Sequence, residues 1–107
     1  MNINMISAAE LKQIMQREKI LLVDVRSEAE YRRGHIPGAI NIPWTRLKQP
    51  YDRRNRTATV YLPREAKIVL YCDRGVTSLE LCRQLIEEGY RAASLVGGYR
   101  GYRRDSY

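Results

Sequence analysis

Lys67-Ile68-Val69-Leu70-Tyr71-Cys72-Asp73-Arg74-Gly75-Val76-Thr77-Ser78 runs without a break from an apolar segment through a polar turn to a helix start. The stretch Lys67 to Tyr71 is nearly all apolar, which suits a strand buried on both faces, as in a parallel sheet. Thr77-Ser78-Leu79-Glu80 has the spacing of a capping box, with Thr77 as the expected N-cap. Behind it Leu79, Cys82, Leu85 and Ile86 fall on one helical face, and Gly89 is placed to close the helix. Strand, tight loop and helix in that order form the unit from which parallel sheets are built.

The same grammar repeats outward. Ile20-Leu21-Leu22-Val23-Asp24-Val25 reads as a second central strand. Ser7-Ala8-Ala9-Glu10 opens a helix over 8–17, and Ser27-Glu28-Ala29-Glu30 opens a shorter one that Gly34 can close. Ile36-Pro37-Gly38 is a turn, and Ala39 to Ile42 is a brief strand ended by Pro43. Residues 44–49 are expected to form a helical turn, and residues 50–63 read as a polar surface excursion. Ala92 to Val96 reads as the last strand, before Gly97-Gly98 and a Tyr/Arg-rich tail with no assigned role. The expected fold is α/β: a central, mostly parallel sheet with helices on both faces. Such sheets bind ligands beyond the carboxyl ends of their strands, so the loop after Tyr71 is where chemistry is expected.

Composition sets the outer bounds. The chain has 107 residues, 44% hydrophobic and 29% charged, enough for one domain over 1–107 with its own core. No apolar run approaches membrane-span length, and the first residues lack a secretory pattern, so a cytoplasmic protein is expected. The net charge of +7 is concentrated between residues 46 and 71, with seven basic and two acidic side chains. Arg46, Lys48, Arg53, Arg54, Arg56, Arg64 and Lys67 supply that excess. It could draw an acidic partner, but no nucleic-acid motif accompanies it, and nucleic-acid binding is not expected. The cysteines, Cys72 and Cys82, form no CxxC pair, and the single histidine, His35, lies far from both. No metal site is expected from them, nor a disulfide in a reducing compartment.

The loop after Tyr71 has the makings of a nucleophile's cradle. A tight turn leading into a helix presents several backbone N–H groups on one side, an anion-binding nest. The helix N-terminus adds partial positive charge and Arg74 a full one. A cysteine at the mouth of such a nest is held towards the thiolate, its nucleophilic form. Gly75 permits a backbone conformation or a close approach that a side chain would block. Burial as an inert strand-end residue is the alternative for Cys72.

At these residues the chain resembles the rhodanese family of sulfurtransferases. Cys72 to Thr77 is similar to that family's six-residue active-site loop, in its basic, glycine-valine-threonine version. Asp24-Val25-Arg26 resembles its early signature, and Gly34-His35-Ile36-Pro37-Gly38-Ala39-Ile40-Asn41-Ile42-Pro43 its glycine-histidine-isoleucine-proline-glycine-alanine stretch. Gly89-Tyr90 with Leu95, Gly97 and Gly98 resembles its C-terminal pattern. The resemblance implies a rhodanese-like fold and a Cys72 persulfide that relays sulfur from a donor such as thiosulfate to cyanide or a thiol. It implies no cofactor. Asp73, Arg74, Gly75, Val76, Thr77 and Ser78 would hold the persulfide and donor, with Arg74 helping to hold an anion. Asp24 and Arg26 would support the site, and Glu30 is a plausible partner for Arg26. Two departures stand out. Asp73 occupies a position often basic in thiosulfate users, and Tyr102 replaces a late tryptophan. The arginine of the related Cys-x5-Arg phosphatases would fall at Ser78, so phosphoryl chemistry is not expected.

His35 is read as turn architecture and Cys82 as core. The rival reading is a silent rhodanese-fold binding module, or a persulfide carrier fed by a protein, that docks its partner through the basic 46–67 segment.

Overall fold

The structure is a computed structural model, and it describes residues 4–47 and 62–105. Among the described residues, five parallel strands form one sheet: β1 (Met5–Ile6), β2 (Leu21–Asp24), β3 (Ile40–Asn41), β4 (Lys67–Tyr71) and β5 (Arg91–Leu95), in the order β1-β5-β4-β2-β3. The helices are α1 (Ala8–Arg17), α2 (Glu28–Arg33), α3 (Trp44–Leu47), α4 (Val76–Glu87) and α5 (Gly98–Asp105). The expected α/β architecture with a parallel sheet is what the chain adopts. β4 lies at the centre, in register with β2 through Val69 opposite Leu22 and with β5 through Val69 opposite Ala93.

Both faces of β4 are covered, which is why its sequence does not alternate. Ile68, Leu70 and Cys72 pack with Leu81, Cys82 and Leu85 of α4 and Leu47 of α3. Val69 and Tyr71 point the other way, against Ala8 and Leu11 of α1, with Tyr99 and Tyr102 of α5 at the edge. Ile68, Val69, Leu70 and Tyr71 have no exposure at all. Each such side chain contributes on the order of 1.5–3 kcal/mol of hydrophobic stabilisation.

Two helix starts form as their local sequence dictates. Ser7 accepts from the Glu10 amide at 3.1 Å while the Glu10 carboxylate accepts from the Ser7 amide at 3.0 Å. Ser27 and Glu30 repeat the arrangement at the head of α2. Each box satisfies N–H groups that would otherwise lack partners. β1, the short edge strand beside β5, carries no pattern in the sequence that announces it. The strands predicted over 39–42 and 92–96 are observed as Ile40–Asn41 and Arg91–Leu95. The segment 48–61, most of the predicted basic excursion, lies outside the described residues. Among the described residues, no helix is long and apolar enough to cross a membrane.

Candidate active site

Gly75 decides the geometry of the loop. Its φ of +103° is left-handed, a conformation glycine adopts without steric cost. The chain therefore reverses sharply after β4, and two amides turn back on the preceding cysteine. The Gly75 N–H lies 3.0 Å from Cys72 Sγ, and the Ser78 N–H 3.4 Å. This corrects the expected cap. α4 starts at Val76, one residue before Thr77, with Gly75 as N-cap and no side-chain cap. The sulfur of Cys72 stands where a capping oxygen would, taking first-turn amides as partners. The nest predicted from Asp73 to Ser78 thus narrows, at the sulfur itself, to the amides of Gly75 and Ser78.

A short chain of hydroxyls lies behind the sulfur. The Cys72 thiol faces Ser78 Oγ at 3.5 Å, and Ser78 Oγ is 2.9 Å from Ser94 Oγ on β5. Both serines are buried. Ser78 also reaches the Gly75 carbonyl at 3.4 Å. A hydroxyl can donate or accept. Ser78 can accept from the thiol, or turn and donate to the thiolate while Ser94 donates to it.

Behind the loop sits α5, the part of the chain the sequence left unread. The Tyr99 amide donates to the Cys72 carbonyl at 2.8 Å and the Arg100 amide to the Asp73 carbonyl at 3.1 Å. The N-terminal amides of α5 thereby find their acceptors in the loop. Gly98 makes this possible: at φ +60°, a Cβ there would lie 2.5 Å from the Cys72 carbonyl oxygen.

Cys72, 7% exposed, sits in a pocket of about 260 Å³ lined also by Arg26, Glu30, Trp44, Asp73 and Thr77. Arg26 and Asp24 form a buried pair, the guanidinium 2.7 Å from the carboxylate. Burial alone would lower the pKa of Arg26, but hydrogen bonds and charge attraction from Asp24 outweigh it and the net shift is upward. The partner expected for Arg26 was Glu30. Glu30 instead serves the Ser27 cap, and Asp24 faces Arg26 because residues two apart at a strand end share a side. Arg26 also donates to the Gly34 carbonyl at 2.6 Å and stacks 4.3 Å over the Tyr99 ring.

The remaining loop residues part company. Val76 is exposed and lines neither the thiol pocket nor the neighbouring cleft. Arg74 is exposed and lines a neighbouring cleft rather than the thiol pocket. Asp73 pairs with Arg100 Nε at 2.8 Å, which offsets part of the repulsion its carboxylate offers an anion. The pair is half-exposed, so the effect is modest.

His35 lies outside the pocket. Its ring stacks on Tyr31 at 3.7 Å and its Nδ1 meets the Tyr31 carbonyl at 2.8 Å. Cys82 is fully buried in the α4 core, and burial pushes its thiol up to about 11. Among the described residues, no cluster of histidine, cysteine or acidic side chains could hold a metal ion. Ser94, Tyr99, Trp44 and Arg100 join the site without a sequence motif of their own. The Gly97-Gly98 pair was the one available sign that the following segment comes close to the loop.

The rhodanese-like domain family matches this chain over residues 7–105. The chain is 31% identical to a sulfurtransferase of Allochromatium vinosum, over 95% of its own length and 90% of the relative's. It is 41% identical to a tRNA sulfurtransferase of Desulfurococcus amylolyticus across 78% of its length, but spans only 15% of that larger protein. Among solved structures, the human single-domain sulfurtransferase TSTD1 superposes with a TM-score of 0.71 at 29% identity, covering 96% of this chain and 97% of the other.

Proposed function

The chain belongs to the rhodanese-like domain family, and from that premise we propose that it is a sulfurtransferase carrying sulfur as a persulfide on Cys72. The observation that carries this reading is the convergence of the Gly75 and Ser78 amides on Cys72 Sγ at the floor of an open pocket. An inert buried cysteine needs neither the donors nor the opening.

Fixed N–H donors stabilise negative charge without reorganising when it develops. In the proposed reaction the Cys72 thiolate attacks the outer sulfur of thiosulfate. The S–S bond of the donor breaks, sulfite leaves with the electron pair, and Cys72 holds a persulfide anion. Cyanide or a thiolate then attacks the outer sulfur. With cyanide, thiocyanate leaves and the Cys72 thiolate returns. Splitting the transfer in this way is covalent catalysis. Arg26, at the pocket wall, and Arg74, at its approach, oppose the donor's charge. Asp73, held by Arg100, weighs against a dianion, so an uncharged or protein-borne sulfur donor fits the pocket as well as thiosulfate does. No cofactor enters the scheme. Two free thiols suit the cytoplasm, where such groups stay reduced.

Thiocyanate formation from thiosulfate and cyanide tests the reading. The intact protein is expected to turn over and Cys72→Ser to be inactive while folded. Undiminished turnover by Cys72→Ser would overturn it.

A further inference from the structure

The thiol pocket opens beside a second cleft of about 1000 Å³, and Arg26, Glu30 and Asp73 line both. Its walls carry six arginines: Arg26 and Arg33 from the α2 side, Arg74 from the loop, and Arg100, Arg103 and Arg104 from α5. Two of them are committed, Arg26 to Asp24 and Arg100 to Asp73. Among the described residues, Arg33, Arg74, Arg103 and Arg104 form no ion pair with a carboxylate. Unneutralised guanidinium groups around one concavity raise the local concentration of anions.

A small sulfur donor does not account for this cleft. One water occupies about 30 Å³ of liquid, so thiosulfate would fill a small part of the volume. The lining also discriminates between large anions. Binding of single-stranded nucleic acid relies on open aromatic faces for base stacking. Tyr99 is the one aromatic side chain here, and Arg26 covers its ring at 4.3 Å, with Arg103 5.7 Å from its centre. Guanidinium forks without a stacking surface match carboxylates, which they grip in paired hydrogen bonds.

We propose that the arginine cleft between α2, the Cys72 loop and α5 docks an acidic segment of a protein that gives sulfur to Cys72 or receives it. The shared wall at Arg26 and Asp73 places such a segment next to the thiol pocket. The docking surface is thus located at α2, the Cys72 loop and α5. The proposal rests on the sulfurtransferase reading for the purpose of docking, though not for the binding itself.

A fluorescein-labelled hexaglutamate peptide, followed by fluorescence anisotropy at low salt, tests it. Arg33→Glu/Arg104→Glu, which reverses one charge on each wall, is expected to weaken binding at least tenfold. Arg17→Glu/Arg83→Glu has the same net charge and lies elsewhere; it is expected to change binding less than twofold. Hexauridylate is expected to bind more weakly than hexaglutamate. Equal losses in the two double variants, no binding below millimolar peptide, or tighter binding of hexauridylate would each overturn the proposal. Sulfur loading from thiosulfate and from glutathione persulfide is measured on the same samples. Loading without peptide binding defeats the docking proposal alone, and peptide binding with no loading from either thiosulfate or glutathione persulfide defeats the sulfurtransferase reading alone.

Discussion

The backbone amide of Tyr99 donates to the carbonyl of Cys72 at 2.8 Å. The residue that bears the reactive sulfur is therefore pinned from behind by the first turn of the last helix. The same turn supplies the Arg100 amide to Asp73, and the Arg100 side chain to the Asp73 carboxylate. Loop conformation, and with it the aim of the Gly75 and Ser78 amides, depends on how closely α5 can approach.

Gly98 sets that approach. Alanine there would combine a left-handed φ of +60° with a Cβ 2.5 Å from the Cys72 carbonyl oxygen. Gly98→Ala is expected to destabilise the protein by about 2–4 kcal/mol and to reduce sulfur loading in the fraction that folds. Gly101→Ala is the comparison, because a Cβ at Gly101 meets nothing nearer than 3.5 Å. It lies within α5, where alanine is favoured over glycine by up to about 1 kcal/mol. Thermal unfolding of both variants checks this, and equal stability would contradict it.

Arg26 and Asp24 form the one buried ion pair at the site among the described residues. Removing the guanidinium leaves a fully buried carboxylate without its counter-charge. Arg26→Met is expected to cost about 3–5 kcal/mol. The double variant Arg26→Met/Asp24→Leu should recover part of that loss, which denaturant titration would show. Failure to recover any would mean the pair matters through its packing on Tyr99 instead.

Ser94 touches no substrate, yet its hydroxyl lies 2.9 Å from Ser78 Oγ, the group that faces the sulfur at 3.5 Å. Ser94→Ala is expected to lower kcat about fivefold with KM nearly unchanged, the size of one hydrogen bond of about 1 kcal/mol. A raised KM at constant kcat would assign Ser94 to binding instead.

Cys82 is fully buried in the core beneath α4. Burial pushes Cys82 up from about 9 to about 11, so between those values the unfolded chain loses its proton while the folded one keeps it. Stability from this group is intact below about pH 9 and falls as pH rises towards 11. Urea midpoints measured at pH 8 and pH 10.5 should fall more in the intact protein than in Cys82→Ala. At pH 8, iodoacetamide should modify Cys72 and spare Cys82. Peptide mapping that finds Cys82 modified first would contradict the assignment.

Much of this was legible in the sequence, for reasons of range. The Ser7–Glu10 and Ser27–Glu30 caps are local, closed by side chains three residues apart. The run from Lys67 to Tyr71 announces a strand covered on both faces. Thr77 misled because a capping box is a local rule, and the sulfur of Cys72 competes for the same amides once Gly75 turns left-handed. The tail failed differently. Tyr99 and Arg100 show no apolar stripe, and their role comes from contacts with Cys72 and Asp73, more than twenty-five residues earlier in the chain. Arg74 could be placed in the loop from the sequence, but not on the cleft side of it. Ser94 had no motif, since only strand pairing brings it behind Ser78.

The central claim is that Cys72 carries the sulfur, and intact-protein mass spectrometry after incubation with thiosulfate tests it most directly. The wild type and Cys82→Ser should gain the mass of one sulfur atom, lost again on adding cyanide, while Cys72→Ser gains none. Equal loading of Cys72→Ser and the wild type would contradict the account.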